Sequence, residues 1–500
     1  MLAGAGSGGY GRGSTPGRDG AGGRAAGGVR SLDMQYISTR GQAPALPFSD
    51  VLMAGLARDG GLYVPDVWPT LPAAAIAGFA GRPYAEVATS VIAPYVRGEI
   101  SDATLKAMCE AAYASFDTPA VAPLTRLTED LYVLELFHGP TLAFKDVAMQ
   151  LLAQFMDHVL ARRGEHVTIV GATSGDTGAA AIEAFRGREN VDVFILFPKG
   201  RVSPFQQRQM TTADDDNVHA IAIEGTFDDC QAILKGLFGN PSFRERVGLS
   251  GVNSINFARI LGQIVYYFTA AVALGAPKRA VSFTVPTGNF GDIFAGYAAK
   301  RMGLPIGTLA IATNVNDILA RALATGTYDV RTVTATTSPS MDIQVSSNFE
   351  RLLFEAYGRD AAAIRGLMDD LGQTGAFTIA PKALAAIRAG FKADRAYEEE
   401  VAATIHRTYA ETGFLPDPHT AVALAVAERI AEPGVPMVAL ATAHPAKFAA
   451  AVKAAAGIEP RLPAGFDTIL GKEERFVTLA NDRKAVEDHI LSHTKSAEKV

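Results

Sequence analysis

The sequence predicts an α/β protein, and two observations carry that expectation. From about residue 131 onward, short apolar and β-branched runs alternate with helical patterns in the order strand, loop, helix. Such alternation implies parallel strands with helices on both faces, and sites at the carboxyl ends of the strands. The loops at those ends are also chemically distinctive: one ends in a lysine at a helix mouth, and two others are built of glycine, threonine, serine, asparagine and aspartate.

Composition bounds the rest. A chain of 500 residues has room for two or three domains and a large buried core. Its net charge of −6 is mild for that length and gives no sign of a nucleic-acid surface. Only two cysteines occur, Cys109 and Cys230, so neither a disulfide framework nor a cysteine metal site is supported, and a reducing compartment such as the cytoplasm fits. The longest apolar runs, such as 264–276, are too short to cross a bilayer.

Taken in order, residues 1–33 hold mostly glycine, alanine, serine and arginine. With almost no large apolar side chains they cannot offset their ordering entropy, and a disordered tail is expected. A transit peptide, or a start codon placed upstream of Met34, are the alternatives. Residues 34–120 form a first unit, with a helix expected over 48–56, a turn into an extended segment over 59–65 and helical patterning over 69–116. Tyr84, Val87, Val91, Ile92 and Tyr95 share one face there, which suits packing or a dimer contact; only Thr39 and Arg40 are chemically suggestive. Strands are then expected over 131–137, 167–170, 191–197, 218–223 and 280–285. Helices are expected over 179–185, 203–210, 227–238 and 293–301. This divides the remainder into α/β units at 121–275 and 276–470. A charged surface segment, 471–500, closes the chain and carries an amphipathic helix near 486–491.

The run from His138 to Asp146 is the centre of this arrangement. Lys145 follows an apolar, turn-rich stretch and opens a helix in which Val147, Ala148, Leu151, Leu152, Phe155, Met156, Val159 and Leu160 repeat at helical spacing. A cation is disfavoured at a helix N-terminus, which is one way to make a lysine a nucleophilic amine at neutral pH. The alternative is a surface lysine at a helix start.

Two further loops join it. Thr173, Ser174, Gly175, Asp176, Thr177 and Gly178 put hydroxyls and N–H groups at a helix N-terminus, a receptor for a carboxylate or another anion, or else a capping loop. After the strand expected at 280–285 come Gly288, Asn289, Phe290, Gly291 and Asp292, again opening a helix. The loop has neither the Gly-x-Gly-x-x-Gly spacing of dinucleotide sites nor the closing Gly-Lys-Ser/Thr of triphosphate loops, and reads as a cradle for a single phosphate. An activated lysine, an anion loop and a phosphate cradle together suit pyridoxal 5'-phosphate.

At this point the chain resembles the threonine synthases, within the tryptophan-synthase-β-like (fold type II) pyridoxal-phosphate enzymes. The matching runs are 36–41, 59–65, 138–146, 172–178, 253–259, 288–292, 340–343 with 346–351, and 441–448, in that order along the chain. The resemblance implies two intertwined α/β halves behind an N-terminal unit, with the cofactor between them. It implies that Lys145 bears the cofactor and moves protons, that Gly288, Asn289, Phe290, Gly291 and Asp292 hold its phosphate, and that Thr442 faces the pyridine nitrogen. Thr173, Ser174 and Thr177 would take the substrate carboxylate, with Asp176 beside them where wider relatives use asparagine. Ser203, Asn256, Arg259, Asn348 and Arg351 are candidates for the substrate phosphate, Arg259 first among them; Lys199, Arg201 and Gln206 are further candidates. The implied reaction, the last of threonine biosynthesis, converts O-phospho-L-homoserine and water to L-threonine and phosphate, by a monomer or homodimer. A serine or threonine dehydratase of the same cofactor class, and a cofactor-binding non-catalytic homologue, are the alternatives. Asp292 is expected to turn from the phosphate, which it would repel, and to cap the following helix. His419 and His444 lack metal-ligand spacing and are expected to be satisfied buried histidines.

Overall fold

The computed structural model describes residues 33–173 and 175–495. The expected N-terminal tail lies outside them except for Asp33, and so does Ser174.

Two sheets organise the described chain. The larger has six strands in the spatial order Phe391–Arg395, Ile306–Thr313, Val281–Pro286, Met437–Ala441, Leu131–Glu135, Leu124–Arg126. All neighbours are parallel except the last pair. The second sheet has five, in the order Val477–Ala480, Val218–Glu224, Val191–Pro198, Val167–Ala172, Leu249–Ser250, all parallel. The chain threads both. Leu131–Glu135 belongs to the larger sheet, the next strands build the smaller, and Val281 onward returns to the larger. Last, Val477–Ala480 adds an edge to the smaller sheet beside Val218–Glu224, a strand with only weak apolar alternation that the sequence did not announce. Helix Arg483–His493 then buries Val486 and Ile490.

In front lie the antiparallel pair Tyr36–Ser38 and Tyr63–Pro65 and the helices Tyr84–Ile92 and Asp102–Tyr113. Thr39 and Arg40 both reach Glu350, at 2.5 Å and 3.0 Å, so they join this unit to the helix Phe349–Ala356.

The helix that opens with Lys145 runs Lys145–Arg163 and ends on Gly164 in the left-handed conformation. One broad apolar stripe was expected; instead every residue from Lys145 to Ala153 is buried. The reason is its central position, packed against Asp102–Tyr113, Asp176–Phe185 and Phe257–Ala273 on different sides. A helix covered all round supplies a rigid mount for whatever its first residue holds.

Candidate active site

The loop before Lys145 docks on the end of the central strand Met437–Ala441. The Phe144 N–H donates to the Thr442 carbonyl at 2.9 Å, and the His444 N–H donates to the Leu142 carbonyl at 3.0 Å. Lysine and threonine, far apart in sequence, are thereby brought side by side. Asp146 braces the loop from within, accepting the Thr141 N–H at 2.8 Å and its hydroxyl at 2.6 Å.

Lys145 is buried, and its Nζ stands 3.8 Å from Asp176 Oδ2. Burial pushes its amine below the ordinary lysine range; Asp176 opposes that, while nearby Arg259 and Lys447 reinforce it. Asp176 itself, in the first turn of helix Asp176–Phe185, is held well below the usual carboxylate range. Burial alone would raise it, but Lys447, Lys145 and Gln206 outweigh burial. Gln206 Nε2 donates to Asp176 Oδ1 at 2.8 Å, and Lys447 Nζ lies 3.0 Å from the same oxygen. Gly175 makes this approach feasible: its φ is +145°, and a Cβ there would come within 2.5 Å of the Gln206 amide.

The second loop is built differently. Its carbonyls are tied outward: Ser346 Oγ donates to Gly288 O at 2.6 Å, and Asn348 gives both its N–H and its Nδ2 to Asn289 O, at 3.0 Å and 2.9 Å. Gly288 has no room for a side chain, since a Cβ would lie 2.7 Å from Ser340 O. Phe290 holds the left-handed conformation, φ 65°, with its ring buried against Phe349 and Phe391. The helix Gly291–Arg301 begins there, and its first N–H groups have no acceptor within the helix.

Asp292 departs from expectation. It caps nothing: the N-cap residue is Phe290, with no side-chain cap. The carboxylate points instead into the protein, where Oδ1 accepts the hydroxyls of Tyr266 at 2.5 Å and Tyr267 at 3.0 Å. Among the described residues Oδ2 has no hydrogen-bond partner. Burial pushes this carboxyl up to about 6, only partly offset by the two tyrosines and by Lys145.

The remaining candidates separate. Arg259 is buried beside the lysine, donates Nη1 to Val252 O at 3.1 Å, and has no partner for Nε among the described residues; burial lowers its guanidinium to about 10. Asn256 was expected to share an anion with it, but its Oδ1 accepts the Ala258 N–H and its Nδ2 donates to Leu52 O, so the amide caps the helix. Arg351 is fully buried and donates to Tyr63 O, Ile255 O and Asn348 Oδ1, all neutral acceptors. Ser203 caps helix Pro204–Thr211, and Thr173 Oγ1 accepts the N–H groups of Gly175 and Gly178. Thr177 is half-buried. Lys199 is exposed beside Glu224. His419 is fixed between Asp417 Oδ2 and the Ser340 N–H, and His444 Nδ1 accepts the Ala446 N–H. Among the described residues no group of His, Cys, Asp and Glu could hold a metal. Sequence reading missed Lys447, Gln209 and the tyrosine pair; the one available signal was a lysine four residues beyond Ala443 in an otherwise small and apolar run.

Family models match the chain along most of its length. One described as "Threonine synthase N terminus" covers residues 35–113, one described as "Pyridoxal-phosphate dependent enzyme" covers 114–397, and "Threonine synthase, C-terminal" covers 420–490. The Pseudomonas aeruginosa threonine synthase is 52% identical over 462 residues, 92% of this chain and 98% of that protein. The chain belongs to the threonine synthase family. A crystal structure of the pyridoxal-phosphate-bound threonine synthase from Brucella melitensis is 61% identical and superposes with a TM-score of 0.91, covering 92% of this chain and all of that one. The Escherichia coli threonine synthase structure, 32% identical over 92% of this chain and all of its own, gives 0.78. The fold is that of the fold type II pyridoxal-phosphate enzymes.

The residues present fit that cofactor. A buried amine displaced toward its neutral form is what a carbonyl group requires. The Gly288–Asp292 loop leaves helix N–H groups for a phosphate, in a cradle a Cβ at Gly288 would disturb. Arg259 Nε is a buried polar atom with no hydrogen-bond partner among the described residues, as an atom awaiting a ligand would be.

Proposed function

We propose that the protein converts O-phospho-L-homoserine and water to L-threonine and phosphate, with Lys145 as the catalytic lysine. The observation that supports this most is the pairing of a buried lysine with a buried arginine that meets no carboxylate among the described residues. A site for a phosphorylated amino acid needs a second cationic group beyond the cofactor cradle, because charge accumulates on the leaving oxygen. Dehydration of serine or threonine needs none.

When bound, pyridoxal phosphate supplies an electron sink that acidifies the substrate's Cα–H. Lys145 Nζ is the base: it takes the α-proton, gives that proton up, and only as a free amine again takes a β-proton, so that the γ-phosphate leaves; protons return at Cγ and Cα, and water adds its hydroxyl at Cβ. Asp176 offers that amine a fixed carboxylate 3.8 Å away. Thr442 would present a hydroxyl to the ring nitrogen, which, unlike a carboxylate, does not hold that nitrogen protonated and so moderates the sink. The helix N–H groups after Phe290 would hold the cofactor phosphate. Thr173, Thr177 and Ser174 remain the proposed carboxylate receptors, Thr173 through a hydroxyl that also organises its own loop. Arg259 would meet the leaving phosphate, with Arg351, Asn348, Asn256 and Ser203 shaping the walls through the bonds described above. We place the enzyme in the cytoplasm as a monomer or homodimer; among the described residues no helix is long and apolar enough to cross a membrane.

Incubating the purified, cofactor-loaded protein with O-phospho-L-homoserine should yield L-threonine and phosphate one for one, and Lys145→Ala should yield neither. Deamination of serine or threonine without turnover of the phosphorylated substrate would move the protein to the dehydratases.

A further inference from the structure

We propose that Lys447 is a positioning residue for the lysine chemistry: its ammonium clamps the carboxylate that faces Lys145 and keeps that carboxylate from drawing a proton onto the Lys145 amine. The inference rests on Lys145 bearing the cofactor.

Among the described residues only two lysines are buried, Lys145 and Lys447. Lys447 lies on the short turn Pro445–Phe448, in the same segment that sets Thr442 against the lysine loop. Its Nζ has three acceptors: Thr141 O at 2.6 Å, Gln209 Oε1 at 3.0 Å and Asp176 Oδ1 at 3.0 Å. An ammonium has three donors, so this group is fully satisfied as a cation, with one carboxylate among its partners. A lysine meant to act as a base would lack that set. Gln209 Nε2 also donates to Thr141 O at 3.0 Å, so the loop before Lys145, the helix Pro204–Thr211 and the first turn of Asp176–Phe185 are locked through one ammonium.

The consequence for Lys145 is electrostatic. A lone buried carboxylate 3.8 Å away would stabilise an ammonium on Lys145 and disable it as nucleophile and base. Asp176 is shared: Oδ1 carries Lys447 and Gln206, and only Oδ2 faces Lys145. Lys447 both neutralises Asp176 and repels a second positive charge. The other charged groups around Lys145 are Arg259, Asp146 and Asp292; those around Lys447 are Asp176, Asp146 and the His444 ring. Arg259 acts in the same direction as Lys447, and Asp146 and Asp292 act against it.

The test is a pH titration of the absorption band of the lysine-bound cofactor, in the holoenzyme and its variants. Removing a cation beside a protonated nitrogen should make Lys447→Met titrate higher, by about one pH unit. Asp176→Asn should titrate lower by a similar amount, the double variant should return to near the wild-type midpoint, and Lys447→Arg should stay there. An unmoved midpoint in Lys447→Met, with only a loss of thermal stability, would make Lys447 a packing residue and overturn the proposal. Lys447→Met strands a buried carboxylate and is at risk of misfolding. In that case the double variant decides, since it removes both charges together: a midpoint about one unit above that of Asp176→Asn shows the Lys447 charge opposing protonation at Lys145, as proposed, and a midpoint equal to it overturns the proposal. These midpoints need no turnover. A protein that shows them yet ignores O-phospho-L-homoserine would refute the proposed reaction and leave this inference standing.

Discussion

Asp176 and Asp292 are the same residue type in the same local setting, the first turn of a helix that follows a parallel strand, and both are buried. Their protonation is pushed in opposite directions. Asp176 meets two lysines and is held well below the usual carboxylate range; Asp292 meets two tyrosine hydroxyls and rises to about 6. Burial and helix dipole are common to both, so neither decides the outcome. What decides it is whether the partners carry charge. The first loop is thus an ionic cluster that can bias a neighbouring amine, and in the second the carboxyl is held by uncharged hydroxyls behind the proposed phosphate cradle.

The largest expected effect that tests this contrast is on stability. Asp176→Ala leaves the buried Lys447 ammonium without its anion and should destabilise the protein by about 3–5 kcal/mol, whereas Asp292→Ala leaves two unpaired hydroxyls and should cost about 1–3 kcal/mol. Equal losses in chemical denaturation would erase the distinction. Arg259 sharpens it from the other side, as a buried cation with no carboxylate partner among the described residues. If the substrate phosphate is its partner, Arg259→Ala should lower turnover roughly thirty- to a thousandfold, or about 2–4 kcal/mol, while the band of the lysine-bound cofactor persists. Steady-state kinetics with O-phospho-L-homoserine, together with weakened inhibition by free phosphate, would check it; normal turnover would return the role to Arg351 or Lys199.

The pH dependence of stability should split by residue. Asp176 has a depressed folded pKa, so its contribution is present above about pH 4 and is lost as pH falls further. Asp292 has a raised one, so its contribution is full below about pH 4 and is lost as pH rises through about 6. In the cofactor-free protein, Asp292→Asn should therefore gain on wild type between pH 4 and 7, by up to about 3 kcal/mol. A constant difference across that range would mean that Asp292 is ionised throughout. The smallest effect is on the cofactor: a carboxyl held by Tyr266 and Tyr267 and turned from the cradle predicts that Asp292→Asn keeps pyridoxal phosphate affinity within about tenfold. A gain of a hundredfold or more would place a negative carboxylate against the phosphate.

The strand, loop and helix order was legible because apolar periodicity encodes it locally, and so was Lys145 at the first position of its helix. The two small-residue loops were legible for the same reason: close backbone approach needs glycine, as at Gly175 and Gly288. The destinations of side chains were not. Asp292 reads as a cap until helix Phe257–Ala273 brings Tyr266 and Tyr267 to it, and Asn256 and Arg259 share a face by spacing although Leu52 O occupies one of them. Lys447 reaches Asp176 only because the chain returns from the smaller sheet to the larger, whose strand Met437–Ala441 ends at the lysine loop, a topological fact that no window of sequence contains.

The claim that joins these residues is that Lys145 drives carbon–oxygen cleavage followed by hydration at the neighbouring carbon. A single turnover of O-phospho-L-homoserine in ¹⁸O-water, read by mass spectrometry, tests it directly. The account predicts one ¹⁸O in the hydroxyl of L-threonine and none in the released phosphate. Label in the phosphate, with unlabelled homoserine as the other product, would mean that the phosphorus–oxygen bond is the one cleaved, and the account would be wrong.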